Sequence, residues 1–141
     1  MTSEVLEKFN KYRQTGNRNE AGGILLGQVY NKRIVIDEIT KPSFSDRAGR
    51  FFFIRNAKRA QKAVNTVWTQ SAGKRIYLGE WHTHPEVNPF PSYDDRNLIY
   101  NMLRHSKMEI DFLFLIIVGL GENDFYVGYQ KGKSLSKLSL L

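Results

Sequence analysis

The sequence contains no cysteine. Thiol proteases, disulfide frameworks, Cys-based zinc fingers and Cys-ligated zinc deaminases are therefore excluded together. The last exclusion matters, because His84-Pro85-Glu86 matches the H-x-E half of the deaminase signature while the P-C-x-x-C half is missing. Long apolar runs are missing too. The most apolar stretch, residues 112–118, has the length of a buried strand and falls well short of the roughly 18 residues of a membrane span. Nothing at the start resembles a signal peptide. These absences lead us to expect a cytoplasmic protein with no membrane partner. Histidine is scarce: there are three, and two of them stand one residue apart.

What is present fits one domain over residues 1–141, with residues 132–141 expected as a flexible tail or docking segment. A barrel of eight βα units, another home for His-x-His on a strand, needs roughly 250 residues. The 41% hydrophobic and 13% aromatic residues supply an ordinary core. Net charge is +7 and the pI about 9.7. The positive charge is dispersed, with modest clusters at Lys58-Arg59-Lys62, Lys74-Arg75 and from Lys131 to Lys137. Without an arginine-rich arm or aromatic-interleaved RNA motif, an acidic partner is the better expectation than nucleic acid.

Apolar periodicity predicts a helix over 3–14, a β-hairpin over 20–40 turning near Tyr30-Asn31, and a turn-rich stretch over 41–50. A short strand at FFFIR precedes a helix capped by Asn56 and reaching about Ser71. A strand over 75–82 leads into a Pro-rich loop, and Ser92 opens a helix that ends before Lys107. Two closing strands turn at Gly121-Glu122-Asn123. The order implies an α/β fold of α+β type, a single mixed sheet flanked by helices.

In a strand, residues two apart share a face, so His82 and His84 present their imidazoles side by side, with Trp81 opposite as core. Neutral imidazoles suit zinc, at roughly 2.0–2.1 Å per nitrogen, although a His-x-His pair also arises by chance. Ser92-Tyr93-Asp94-Asp95 has two readings as well. S-x-x-D ahead of an apolar-periodic run is a capping box. The same geometry would set the Asp95 carboxylate and the Ser92 hydroxyl beside the histidine loop, where Asp95 could become a third ligand. Three protein ligands and an open fourth position form the catalytic arrangement of zinc. Pro85, Pro89 and Pro91 stiffen the intervening loop. An open site needs a base, and two glutamates compete. Glu20 begins the first strand beside Gly22, Gly23 and Gly27, where by itself it reads first as a surface glutamate at a strand start. Glu80 shares a face with His82 and His84, and could instead orient a ligand or face solvent.

Taken together, His82-Thr83-His84, the seven residues from Pro85 to Pro91, Ser92, two further residues and Asp95 resemble the metal motif of the JAMM (JAB/MPN) metalloprotease family, E…H-[ST]-H-x7-S-x2-D. Glu20-Ala21-Gly22-Gly23-Ile24-Leu25-Leu26-Gly27 is similar to the family's E-x-x-G-[LI]-L-x-G strand. The resemblance implies a JAB/MPN-like fold and one zinc ion (Zn2+) per chain held by His82, His84 and Asp95. It further implies that Glu20 acts as general base and then as proton donor to the leaving amine, with Ser92 donating to the developing oxyanion. Thr83 replaces the commoner serine but faces away from the histidines.

Thr40-Lys41-Pro42-Ser43-Phe44-Ser45-Asp46-Arg47, Phe53-Ile54-Arg55 and GEWHTHPE are similar to the small stand-alone bacterial JAB enzymes, in particular those of cyclic-oligonucleotide anti-phage (CBASS) operons. That likeness implies a deconjugating isopeptidase. Its partner would be the C-terminal tail of a ubiquitin-like protein or of a nucleotidyltransferase (CD-NTase), with the conjugates that tail forms. The tail would run beside a sheet edge, between walls from residues 40–50 and 85–91, with Phe44 and Phe90 as contacts. Processing of a sulfur-carrier precursor would use the same catalytic residues. A non-catalytic scaffold or a DNA-associated relative would not need the complete motif found here. His105, Asp94 and Asp111 read as structural or solvated.

Overall fold

In the computed structural model, which describes residues 1–139, the first helix, α1 (Ser3–Lys11), lies across a mixed sheet. Thr2 caps it, accepting the Val5 amide at 3.3 Å. The helix stops short of the expected Gln14. The Tyr12 amide bonds back to the Phe9 carbonyl, and Arg13 donates to the carbonyls of Asn10 and Leu120. These contacts turn the chain toward the core, and Gln14 ends up fully buried.

The hairpin strands are β1 (Gly22–Val29) and β2 (Ile34–Ile39). Two very short strands follow, β3 (Arg47–Gly49) and β4 (Phe52–Ile54), which pair only with each other. Helix α2 (Ala57–Gln70), capped by Asn56, leads to β5 (Ile76–Thr83), and helix α3 (Tyr93–His105) leads to β6 (Phe112–Val118) and β7 (Phe125–Lys131). The segment expected as a flexible tail instead forms β8 (Ser134–Leu138), a sixth strand of the sheet paired antiparallel with β7. Gly132, at φ +58°, makes the turn that returns the chain along β7. Alternation of Leu135 against its polar neighbours was the strand signal, obscured by the lysines that blunt an edge strand. The last two residues of that segment lie outside the described residues.

The sheet order is β2-β1-β5-β6-β7-β8, with β5 and β6 parallel and the other pairs antiparallel. The two helices that follow β4 and β5 pack on one face, α1 on the other. Val5 and Phe9 of α1 join Leu25, Leu78, Trp81, Ile116 and Val118. On the opposite face α2 sets Ala60 and Val67 on Ile24 and Leu26, while α3 sets Ile99 on Leu113, Leu115 and Ile117. Strand alternation therefore commits Trp81 to the α1 side and His82 to the side of α3. Gly79, at φ +143° and 1.9 Å from the Phe114 carbonyl for any added Cβ, admits the irregularity where β1 and β5 shift register.

Candidate active site

The site is built where β5 runs out beside the start of α3. His82 is the penultimate residue of β5 and pairs with Gly22 on β1. The His84 amide bonds to the Val118 carbonyl at 2.9 Å, which carries the β5–β6 ladder one residue past the strand and fixes the second histidine. From above, Ser92 caps α3: its hydroxyl accepts the Asp95 amide at 3.1 Å and the Asp95 carboxylate accepts the Ser92 amide at 2.8 Å. The capping box is formed, and it leaves the Asp95 carboxylate beside the histidines. The same carboxylate lies 2.9 Å from Nε2 of His82 and 3.1 Å from Nε2 of His84.

Glu20 enters from the residues before β1. Its Oε1 stands 3.9 Å from Nε2 of His84, and ligand atoms of Glu20, His82 and His84 lie within 4.8 Å of one another. The structure thus brings Glu20, His82, His84 and Asp95 into one cluster, with Ser92 lining the same cleft of about 710 Å3. Glu80 is elsewhere. It is buried, accepts Arg55 Nε at 2.7 Å and the Tyr77 hydroxyl, and so stands neither in solvent nor in the cluster.

Nε2 of His82 is the one buried side-chain polar atom among the described residues that lacks a hydrogen-bond partner. Asp95 Oδ1 is close enough at 2.9 Å but misaligned for a hydrogen bond. A buried nitrogen lone pair beside a carboxylate, with a second imidazole nitrogen next to it, is a donor set suited to a divalent metal. The residues fit such an ion.

Burial raises the Glu20 carboxyl to about 7, with His82 and His84 partly opposing the rise. Burial also disfavours the charged form of His84, but hydrogen bonds to Asp95 and Glu86 outweigh it and lift that ring to about 9. For Asp95, burial acts upward, yet the close approach of the His82 and His84 rings, with the Ser92 amide, holds the carboxyl well below the usual range.

One residue of the site was missed from sequence. Glu86 accepts the Phe90 amide at 3.0 Å and sits 3.0 Å from Nδ1 of His84. Its signal was the H-x-E step, which pointed only toward deaminases. Among the expected cleft walls, Phe90 lines the cleft together with Phe51, Phe52 and Ile54 of the β3–β4 hairpin, whereas Phe44 stands fully exposed outside it. Asp94 lines the mouth and Asp111 pairs loosely with Lys131 at 3.8 Å.

A mixed sheet that hands two histidines from a strand end to a helix-capping aspartate, with a glutamate at the first strand, defines a JAB-type domain. Residues 2–127 match the family described as prokaryotic homologs of the JAB domain, and the chain belongs to that family. A relative from Escherichia coli (strain TW11681), named a CD-NTase/cGAS isopeptidase, is 34% identical over 138 residues, covering 96% of this chain and 84% of the relative. One of the same name from Vibrio cholerae is 35% identical over 128 residues, covering 90% of this chain and 78% of the relative. Among solved structures, a Desulfitobacterium hafniense protein superposes with a TM-score of 0.69 at 17% identity, covering 99% of this chain and 89% of that one. A JAB1/MPN domain protein from Archaeoglobus fulgidus gives 0.50 at 17% identity, covering 96% and 89%. The two structures share the fold. Among the described residues, no helix is long and apolar enough to cross a membrane.

Proposed function

We propose that the protein is a zinc-dependent isopeptidase that hydrolyses the amide joining the C-terminal tail of a CD-NTase, or of a ubiquitin-like protein, to its target amine. The observation that carries the reading is the convergence of His82, His84, Asp95 and Glu20 in one open cleft. The names of the relatives supply the substrate class. A cytoplasmic location, where such conjugates would form, belongs to the same proposal.

Nε2 of each histidine and a carboxylate oxygen of Asp95 would hold the zinc. Bound there, zinc supplies Lewis acidity, making water ionisable at about pH 7 and polarising a carbonyl. Everything else falls to the chain. Glu20 takes the proton of the attacking water and delivers it to the amine as the C–N bond breaks and the C–O bond forms. In the metal-free protein burial raises this carboxyl to about 7 against the pull of the histidines, and a bound cation would lower it toward the ionised form a base needs. The Ser92 hydroxyl already accepts the Asp95 amide, so its own proton is free to be donated to the developing oxyanion. Loss of such a donor costs about 2.7–4 kcal/mol of barrier in other hydrolases. Phe51, Phe52 and Phe90 give the cleft apolar walls for an extended tail.

The test is a CD-NTase C-terminal tail fused through a peptide bond to a reporter protein, followed by mass spectrometry. Cleavage after the last tail residue, abolished by Glu20→Ala and by a chelator, is expected. Zinc at one equivalent without cleavage would redirect the assignment to another ubiquitin-like substrate. Absence of both would overturn it.

A further inference from the structure

Gln14 and Thr83 are both fully buried and both polar, and neither takes part in the cluster described above. Thr83 lies between the two histidines but points to the other face of β5. Its Oγ1 donates to Oε1 of Gln14 at 3.2 Å and accepts the amide of Ala21 at 3.0 Å. The Thr83 amide in turn donates to the Ala21 carbonyl at 2.9 Å. The residue next to Glu20 is thereby held twice to the residue between His82 and His84.

The other end of Gln14 reaches the β3–β4 turn. Its Nε2 donates to the Arg50 carbonyl at 2.6 Å and to the Arg18 carbonyl at 3.0 Å. The amide of Glu20 itself donates to the Gly49 carbonyl at 2.8 Å, within the same turn. Phe51 and Phe52, which wall the cleft, are the next residues along. One side chain thus joins the histidine strand, the backbone that carries Glu20 and the turn that forms a cleft wall.

We propose that Gln14 and Thr83 are a positioning pair that fixes the Glu20 carboxylate against His82 and His84 and ties the β3–β4 turn to that setting. The proposal rests on Glu20 being the base. Buried hydrogen-bond networks of this kind hold their members in a unique arrangement, since each unmade bond leaves a desolvated polar group. A catalytic group displaced by about 1 Å can lose about 100-fold in rate. Thr83 supplies what an aliphatic residue of equal shape cannot, a hydroxyl that both accepts from Ala21 and donates to Gln14.

The experiment compares Thr83→Val, Thr83→Ser, Gln14→Met and the double variant T83V/Q14M on the tail–reporter fusion, with zinc content and KM measured for each. Thr83→Val should bind one zinc and keep KM within about twofold while kcat falls about 10- to 100-fold. Thr83→Ser should restore kcat. Gln14→Met should lower kcat and also raise KM, because it frees the turn that carries Phe51. The double variant should lose little beyond the worse single one, as members of one network do. Wild-type kcat in zinc-loaded Thr83→Val, or fully additive losses, would overturn the proposal. If Thr83→Val fails to fold, the serine and Gln14 variants still decide it. If the wild-type protein cleaves nothing, it is the function that fails. Amide exchange at Ala21 then judges the pair: faster in Thr83→Val and restored in Thr83→Ser if the network holds, unchanged if it does not.

Discussion

Oε1 of Glu86 lies 3.0 Å from Nδ1 of His84 and accepts the Phe90 amide at the same distance. A carboxylate there keeps the proton of a neutral ring on Nδ1 and turns the Nε2 lone pair toward Asp95 and Glu20. Removing it by Glu86→Ala frees both the tautomer and the ring. Zinc affinity should fall about 10- to 100-fold, the usual cost of losing such a partner. Competition against a chelator of known affinity measures it, and an unchanged affinity would show that β5 and the Val118 carbonyl alone orient the ring.

Glu20→Gln separates holding a metal from using it. The amide preserves the shape of the side chain near the cluster but cannot take up a proton. Zinc should remain bound at one equivalent while the cleavage rate falls by about 100- to 10,000-fold, the range for loss of a positioned base. Loss of zinc together with activity would instead make Glu20 a ligand, as its 3.9 Å approach to His84 permits.

The sequence made the metal motif legible because its parts lie on elements whose periodicity is unambiguous. His82 is fixed by alternation along β5, His84 by the continuation of that ladder one residue past the strand, and Asp95 by the capping box of α3. Glu20 against Glu80 was decided by family likeness, since alternation favoured Glu80. The structure shows why alternation misled. Alternation itself holds from Gly79 to Thr83, with Glu80 and His82 paired in unbroken register to Ile24 and Gly22, but Arg55 and Tyr77 take up the Glu80 carboxylate outside the histidine cluster. Contacts between distant segments left no trace in local pattern, so the roles of Gln14 and Arg55 were invisible. The pairing of β8 was hidden similarly, in a lysine- and serine-rich stretch that reads as tail.

Metal binding should depend on pH through His84. Burial lowers that ring's proton affinity, but Asp95 and Glu86 outweigh it and move it from the ordinary 6.5 to about 9 in the metal-free protein. The folded state therefore holds a proton that the unfolded chain has lost. The stability this contributes is fully present below pH 6.5 and disappears as pH rises through about 9. A metal must displace the same proton. Affinity should climb with pH by up to about tenfold per unit until the ring is neutral. Calorimetry in buffers of different ionisation enthalpy should register proton release at neutral pH; affinity independent of pH between 6.5 and 9 would contradict the assignment.

The two aromatic residues expected as groove walls now separate. Phe90 lines the cleft, packs edge-on against Tyr126 at 5.7 Å and has the Arg96 guanidinium 5.3 Å from its ring. Phe44 is fully exposed and contributes nothing to the cleft. Phe90→Ala should raise KM for the tail fusion several-fold, and Phe51→Ala should do the same from the opposite wall. Phe44→Ala should leave KM and kcat unchanged. An effect at Phe44 alone would place the substrate outside the cleft described.

Arg55 and Glu80 form a largely buried ion pair beside the site, with Nε and Oε1 2.7 Å apart and the glutamate side chain only 5% exposed. Arg55 directly follows β4 and Glu80 precedes His82 on β5, so the pair fastens the β3–β4 turn to the strand that carries the histidines. Burial pushes the Glu80 carboxyl upward even with Arg55 opposing it. Arg55→Met would leave the carboxylate buried without its counter-charge, at a cost of about 3–5 kcal/mol. The sign of the pH effect follows. With Arg55 gone the folded-state proton affinity of Glu80 rises further above the unfolded value of 4.5, so the variant loses stability as pH increases above that point. Urea denaturation should accordingly show a larger deficit at pH 8 than at pH 5. Adding Glu80→Gln should recover much of it at the higher pH, since the neutral amide can still face Tyr77. A deficit equal at both pH values would mean that Arg55 stabilises through its packing on Met102 and not through its charge.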